Sequence, residues 1–332
     1  AFAAMGRDIK LSEERIEGYR HFVNKIWNAA RFALMNMPED DGFLRRETDL
    51  AAVSGTHHQW MLHRLEEMKD AVASALAEYR FNDAAQGLYT FIWNEICDWY
   101  LELIKPDMQE GGERKETAQY VLRAVLCETM ILLHPIMPFV TAEIWDALPG
   151  NKGSDIAARP FPARRGGCRK PGAARDMEMI QSAISAVRTI RAELSIAPSL
   201  KLAAVIRPAD GRAAAVLEGH RSMILFLSRL ETLTIDPAAE APKASASQVA
   251  SGNEIIVPLA GAVDFAAEVA RLDKELARMD KELAMLSGKL ANENYVSRAP
   301  AEVVERDKAR VAELADARTK LLALQVRFRE AM

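Results

Sequence analysis

The chain is predicted to be mainly α: an antiparallel helical bundle, then a small α/β module, then an antiparallel two-helix coiled-coil hairpin. Three observations lead there. Apolar residues recur at three- and four-residue steps through residues 1–148, a stretch rich in Gly, Pro and Arg breaks that pattern, and a heptad seam, unbroken over Phe265–Leu290, runs through the last segment, residues 263–332. The 332 residues suffice for about two or three domains. With 49% hydrophobic and 27% charged residues, the expectation is a folded, water-soluble chain with buried cores.

The first helix is expected over Leu11–Met37, where Ile16, Tyr19, Val23, Ile26, Trp27, Ala30 and Leu34 form one apolar stripe. Ser12 supplies an N-cap ahead of Glu13 and Glu14, and Pro38 closes the far end. A second helix follows over about His57–Tyr79. A third opens at Asn82, carries Leu88, Ile92, Ile96, Trp99 and Leu103, and is stopped by Pro106. The fourth spans Glu113–Leu133. The prolines of His134-Pro-Ile-Met-Pro138 then force a break before a short helix that ends at Leu148-Pro-Gly150. Short connections make neighbouring helices antiparallel, so residues 1–148 form the bundle.

Residues 149–175 read as a linker or long loop whose charges are Lys152, Arg159, Arg164, Arg165, Arg169, Lys170 and Arg175 against Asp155. Residues 176–262 form the α/β module. Met177–Leu194 is helical, Leu200–Ile206 alternates as a strand, Arg212–Leu230 is helical, and Thr232–Ile235 and Glu254–Leu259 are short β-branched strands. Pro237–Asn253 is expected to be a loose hairpin-like loop. In residues 263–332, Phe265, Val269, Leu272, Leu276, Met279, Leu283, Leu286 and Leu290 alternate steps of four and three. Val304, Val311, Leu314, Leu321, Leu324 and Phe328 resume the seam after an Asn-rich interruption, with Pro300 in the first turn of the returning helix.

The chemistry-bearing residues exclude more than they suggest. No P-loop, GxGxxG, HExxH or GxSxG occurs, which removes the usual footing for nucleotide binding, zinc proteolysis and hydrolase chemistry. Cys97, Cys127 and Cys168 are scattered, which suits free thiols in a reducing cytoplasm and no Cys-based metal site. His57, His58 and His63 do not share one helical face, so a solvated helix start is favoured over a metal site. The acid pairs Glu13/Glu14 and Glu66/Glu67 read as solvated surface. The net charge is −4, so a polyanion must be met by local basic patches. The apolar run Thr129–Ala142 is short and contains two prolines, so it does not span a membrane.

One helix face is more specific. Arg20, Asn24, Asn28 and Arg31 line up beside Trp27 at helical spacing. Guanidinium and amide groups next to an indole suit phosphates and unpaired bases. The competing reading is a solvated or helix-capping face with Trp27 in the core. The hairpin carries balanced charge, with Lys289 and Arg298 flanking its tip. From spacing alone, a tip that reads an RNA backbone and a coiled-coil oligomerisation protein with a helical scaffold both remain open.

NKIWNAARFALMN (Asn24–Asn36), FIWNEICDWYLELIK (Phe91–Lys105) and LLHPIMPFVTAEIW (Leu132–Trp145) resemble the anticodon-binding bundle of the class I aminoacyl-tRNA synthetases for branched aliphatic amino acids. Residues 6–32 and KLANENYVSRAPAEVVERDKARVAEL (Lys289–Leu314) are similar to the C-terminal part of the bacterial valyl-tRNA synthetases, with their terminal coiled-coil hairpin. The resemblance covers nearly all of the chain. It implies a catalytic domain bearing HIGH and KMSKS signatures and an editing domain upstream; neither signature occurs here, so the chain looks like a detached C-terminal part, inactive alone. It further implies a cytoplasmic, monomeric tRNA(Val)-binding region with no catalytic residue, metal or cofactor of its own, ATP belonging to the absent domain. Residue by residue, it implies tRNA contacts from Arg20, Asn24, Lys25, Asn28 and Arg31, from Arg188, Arg191 and Lys201 in RTIRAELSIAPSLKL, and from Lys281, Lys289 and Arg298 in the arm.

Overall fold

The computed structural model describes residues 13–38, 49–242, 244–260, 265–292, 295 and 301–330. They fall into two compact units that divide at residue 178.

In the first unit, α1 (Glu13–Asn36) buries Phe22, Ile26, Ala29, Ala30 and Ala33, with Met37 just beyond its end. The buried stripe is therefore rotated from the expected one: Tyr19 and Trp27 are exposed, and the small alanines let α1 approach its neighbours closely. The expected N-cap Ser12 lies outside the described residues. Next come α2 (Thr56–Ala77) and α3 (Phe81–Thr90), which continues into a π-helical stretch, Phe91–Tyr100. The third helix expected from the sequence is thus continuous from Phe81 to Leu103, with a π-helical middle. It ends in α4 (Leu101–Leu103), and Pro106 opens α5 (Lys105–Glu110) instead of only stopping what precedes it, because a first-turn proline loses no helical hydrogen bond. α6 (Gly112–Leu133) and α7 (Pro138–Ala147) complete the bundle around Met61, Leu65, Leu88, Phe91, Ile96, Tyr100 and Leu122.

The basic stretch after α7 is tied down along its length. Ile156 and Cys168 are buried, and Lys69, itself 1% exposed, donates to Ala163 O at 3.1 Å. The Lys69 ammonium also lies 2.5 Å from both Glu66 and Glu128, while Glu66 accepts from the Arg165 backbone N–H at 2.9 Å. Arg165 pairs with Glu128, and Arg164 and Arg169 converge on Asp70. Glu66 is therefore not solvated surface but the buried half of an ion network, a role its spacing could not disclose. Gly167, at φ 83°, presses so closely on the turn at Leu50–Ala52 that a Cβ would stand 2.8 Å from Ala51 Cβ.

α8 (Pro171–Glu193) starts earlier than expected and buries Ile180, Ala183, Ile184, Val187 and Ile190 at steps of three and four. The second unit contains a sheet in the order β2-β1-β4-β3, from β1 (Leu202–Arg207), β2 (Leu230–Ile235), β3 (Ser245–Ala250) and β4 (Asn253–Pro258). β1 and β2 are parallel, and such a pair needs a crossover, supplied by α9 (Gly211–Gly219) and α10 (Arg221–Ser228). The expected Arg212–Leu230 helix is split at His220. The expected loose loop instead contains β3, paired antiparallel with β4 through a two-residue turn whose Ser251 and Gly252 both have positive φ. Asn253 holds that turn: its side chain accepts from Ala209 N at 3.0 Å and donates to Ser251 O at 3.1 Å.

The arm is α11 (Phe265–Ala291) and α12 (Ala301–Glu330). Leu272, Leu276 and Leu286 are buried together with Val304, Leu314 and Phe328, and Phe265 meets Phe328 with ring centroids 5.8 Å apart. Asp273 pairs with Arg329 and Asp280 with Arg318, so residue numbers rise on one helix as they fall on the other. The seam is satisfied within one chain. At about 1.5 Å per residue, α11's 27 residues extend about 40 Å. Most of the tip, including Arg298 and Pro300, lies outside the described residues.

Candidate nucleic-acid interface

The exposed face of α1 is set by what its other face buries. Phe22 packs on Tyr89 with ring centroids 4.6 Å apart and lies 6.4 Å from Trp93, which fixes the rotation of the helix. That rotation turns Arg20, Asn24, Asn28 and Arg31 outward together with Trp27, which is 46% exposed. A core position for Trp27 is thereby excluded. Its indole stands beside guanidinium and amide donors, the combination that stacks on an unpaired base while holding phosphate or base edges.

Lys25 behaves differently from its neighbours. Its ammonium lies 2.5 Å from Asp98 and 3.9 Å from the Trp93 ring centroid. In a π-helix the hydrogen bonds run from i to i+5, so residues five apart come close to one face. Trp93 and Asp98 are five apart and grip the same cation. Lys25 thus fastens α1 to the π-helical stretch, and the freely presented donors are those of Arg20, Asn24, Asn28 and Arg31.

In the second unit the candidate residues separate. Arg191 is 8% exposed and points inward: it donates to Ala197 O (3.1 Å), Leu200 O (2.7 Å), Ser228 O (3.3 Å) and Arg229 O (3.2 Å). Its side chain, expected to contact tRNA, is turned to carbonyls at the end of α10 and in the loop after α8 instead of to solvent. Burial, reinforced by the nearby Arg229, pulls its pKa below the usual arginine range. Arg188 is exposed and donates to Leu227 O at 3.0 Å and 3.2 Å, and Lys201 is exposed. In the arm, Lys281 and Lys289 are exposed.

The histidines were expected to be solvated and are buried. His57 Nε2 lies 2.8 Å from Asp107 Oδ2, His58 Nε2 lies 3.6 Å from the same oxygen, and His58 Nδ1 lies 2.8 Å from the Tyr100 hydroxyl. Asp107 also accepts from Arg114 at 2.5 Å. Desolvation pushes His58 down to about 4, so it is neutral at pH 7. Burial pushes the Asp107 carboxyl up, but the hydrogen bonds from His57 and His58 outweigh it and hold the group below the usual carboxylate range. The two imidazoles and the carboxylate come within 4.8 Å of one another, close enough to surround a cation. Asp107 is also matched by Arg114, which supplies a positive charge to the cluster. His63 faces elsewhere, accepting from the Lys170 backbone N–H at 3.1 Å. Asp107 was missed in the sequence because its partners stand fifty residues away.

Among the described residues no helix is long and apolar enough to cross a membrane. Residues 58–206 match the family model described as the anticodon-binding domain of tRNA ligase, and residues 264–324 match that described as the valyl tRNA synthetase tRNA binding arm. The chain is 62% identical, over its whole length, to the valine–tRNA ligase of Nitratidesulfovibrio vulgaris, covering 37% of that protein. It is 44% identical over 99% of its length to the enzyme of Geobacter sulfurreducens, covering 37% of it, and 38% identical over 97% to that of Acinetobacter baylyi, covering 33%. The chain therefore spans about a third of the length of these curated relatives. The helical bundle and the self-paired arm coincide with the two matched segments, and the chain belongs to the valyl-tRNA synthetase family, as the part that carries the anticodon-binding domain and the tRNA-binding arm.

Proposed function

We propose that the chain binds tRNA(Val) at two places, the anticodon stem-loop and the outer corner, so that a catalytic domain elsewhere in the protein attaches valine with ATP. The observation that carries this reading is the outward presentation of Trp27 with Arg20, Asn24, Asn28 and Arg31 on α1, which packs through Phe22 on Tyr89 of the segment, residues 58–206, that matches the anticodon-binding domain. Remote binding of this kind accelerates a reaction at the acceptor end by fixing the substrate's position. On its own the chain binds tRNA and does not charge it; it works as a cytoplasmic monomer and needs no cofactor of its own.

Fluorescence anisotropy with labelled tRNA(Val) tests the reading. Binding that weakens steeply with salt is expected, since the contacts are to a polyanion. Absence of binding even at low ionic strength overturns it.

A further inference from the structure

His57 and His58 are neighbours in the first turn of α2, and residues one apart point about 100° away from each other around a helix. Their rings nonetheless converge, with centroids 4.0 Å apart, and both aim a nitrogen at one oxygen of Asp107, which α5 brings to them. Gly55 makes this possible. It precedes the helix at φ 91°, and a Cβ there would stand 3.2 Å from the His58 ring and 3.3 Å from the His57 ring, so the bare backbone lies against both imidazoles. None of the three side chains is more than 10% exposed.

The distances suit a ligand set. His57 Nε2 stands 2.8 Å and His58 Nε2 3.6 Å from Asp107 Oδ2, the second longer than a hydrogen bond, and all three donors lie within 4.8 Å of one another. Donors held at about 2.0–2.1 Å around a tetrahedral ion are about 3.4 Å apart, between these two values, so one ion fits once the shorter contact opens by about 0.6 Å. The outer partners are in place as well. His58 turns its other nitrogen, Nδ1, to the Tyr100 hydroxyl at 2.8 Å, which leaves Nε2 facing Asp107. Arg114 takes the second carboxylate oxygen, Oδ1, at 2.5 Å, and Oδ2 is left to the imidazoles. Metal-binding imidazoles and carboxylates carry such partners on their far atoms. The Arg114 charge opposes a cation, but its side chain is 59% exposed and water screens it.

We infer that His57 Nε2, His58 Nε2 and Asp107 Oδ2 form a binding site for a divalent zinc ion, with a water as its fourth ligand. Two imidazoles and a carboxylate are a donor set that zinc accepts, and its filled d shell imposes no geometry that the buried cluster must meet. The bound ion ties the start of α2 to α5 and braces the bundle. The proposed tRNA binding does not pass through it, so the two readings stand or fall separately.

The test uses the full chain, stripped of metal with a chelator and dialysed. Calorimetric titration with zinc should show one ion bound per chain, and the melting temperature should rise with zinc and return when chelator is added. X-ray absorption of the zinc-loaded chain should show nitrogen and oxygen donors at about 2.0–2.1 Å and no sulfur at about 2.3 Å. His57→Gln/His58→Gln, checked for folding by circular dichroism without metal, should bind zinc more than about 100-fold more weakly. Tyr100→Phe, which removes only the outer hydrogen bond, should weaken it by about 10–100-fold. A wild-type chain with no saturable zinc uptake overturns the inference and leaves the cluster a hydrogen-bonded network. Unchanged affinity in the double variant overturns it as well, by placing the ion on other histidines or on the thiols. Sulfur in the absorption spectrum does the same, and that measurement on the wild-type chain decides the matter even where the double variant fails to fold.

Discussion

At the residue scale, two buried polar clusters govern the bundle. Lys69 lies between Glu66 and Glu128 with almost no solvent contact, so removing its charge leaves two buried carboxylates short of a partner. Lys69→Met should destabilise the bundle by about 3–5 kcal/mol in urea unfolding, the range expected when one half of a buried pair is lost. His58 gives a pH dependence of definite sign. Its folded pKa of about 4 lies below the ordinary 6.5, so between these values the unfolded chain takes up a proton that the folded chain refuses. Stability is therefore full above pH 6.5 and falls as the pH drops toward 4, by up to about 3 kcal/mol from this group. Asp107, held below the usual carboxylate range, adds its own loss only at still lower pH. Urea titrations at pH 7 and pH 4.5 should show the drop in the wild type and a smaller one in His58→Leu.

The element scale shows where sequence patterns carried the structure and where they did not. The arm was legible because a heptad seam needs only local periodicity: every expected seam residue of α11 is buried or half-buried. Of the expected α1 stripe, Ile26 and Ala30 are buried and Val23 and Leu34 half-buried, but Tyr19 and Trp27, apolar by type, are exposed, because the alanines at 29, 30 and 33 permit the closer contact on an adjacent face. The π-helical stretch has no sequence signature at all, and without it the pairing of Lys25 with both Trp93 and Asp98 is invisible. Strand β3 was missed although Ser251-Gly252 signals a tight turn, because the Ala- and Ser-rich run before it lacks the β-branched residues that mark strands. The site residues of α1 were legible as a face and those after α8 only as charges; burial of Arg191 depends on carbonyls brought from α10. Within the arm, Leu276→Ala should lower stability by about 2–5 kcal/mol and reduce the helical signal in circular dichroism, while light scattering should still report one chain per particle. A dimer whose mass depends on Leu276 would contradict an intramolecular seam.

For the whole molecule, the proposed function divides labour between the α1 face, for reading, and the basic residues of the arm, for grip. Asn28→Ala and Arg31→Ala should erode the preference for the valine anticodon, whereas Lys281→Ala and Lys289→Ala should weaken binding to all tRNAs about equally. Competition between tRNA(Val) and an anticodon-changed version measures the difference, and identical behaviour of the two sets would remove the division. The most direct measurement is a map of the nucleotides that the intact chain shields on tRNA(Val) from chemical or nuclease cleavage. Shielding at both the anticodon loop and the outer corner, with the loop signal lost in Asn28→Ala/Arg31→Ala, is the predicted result. A map that leaves both regions as reactive as in free tRNA would contradict the account.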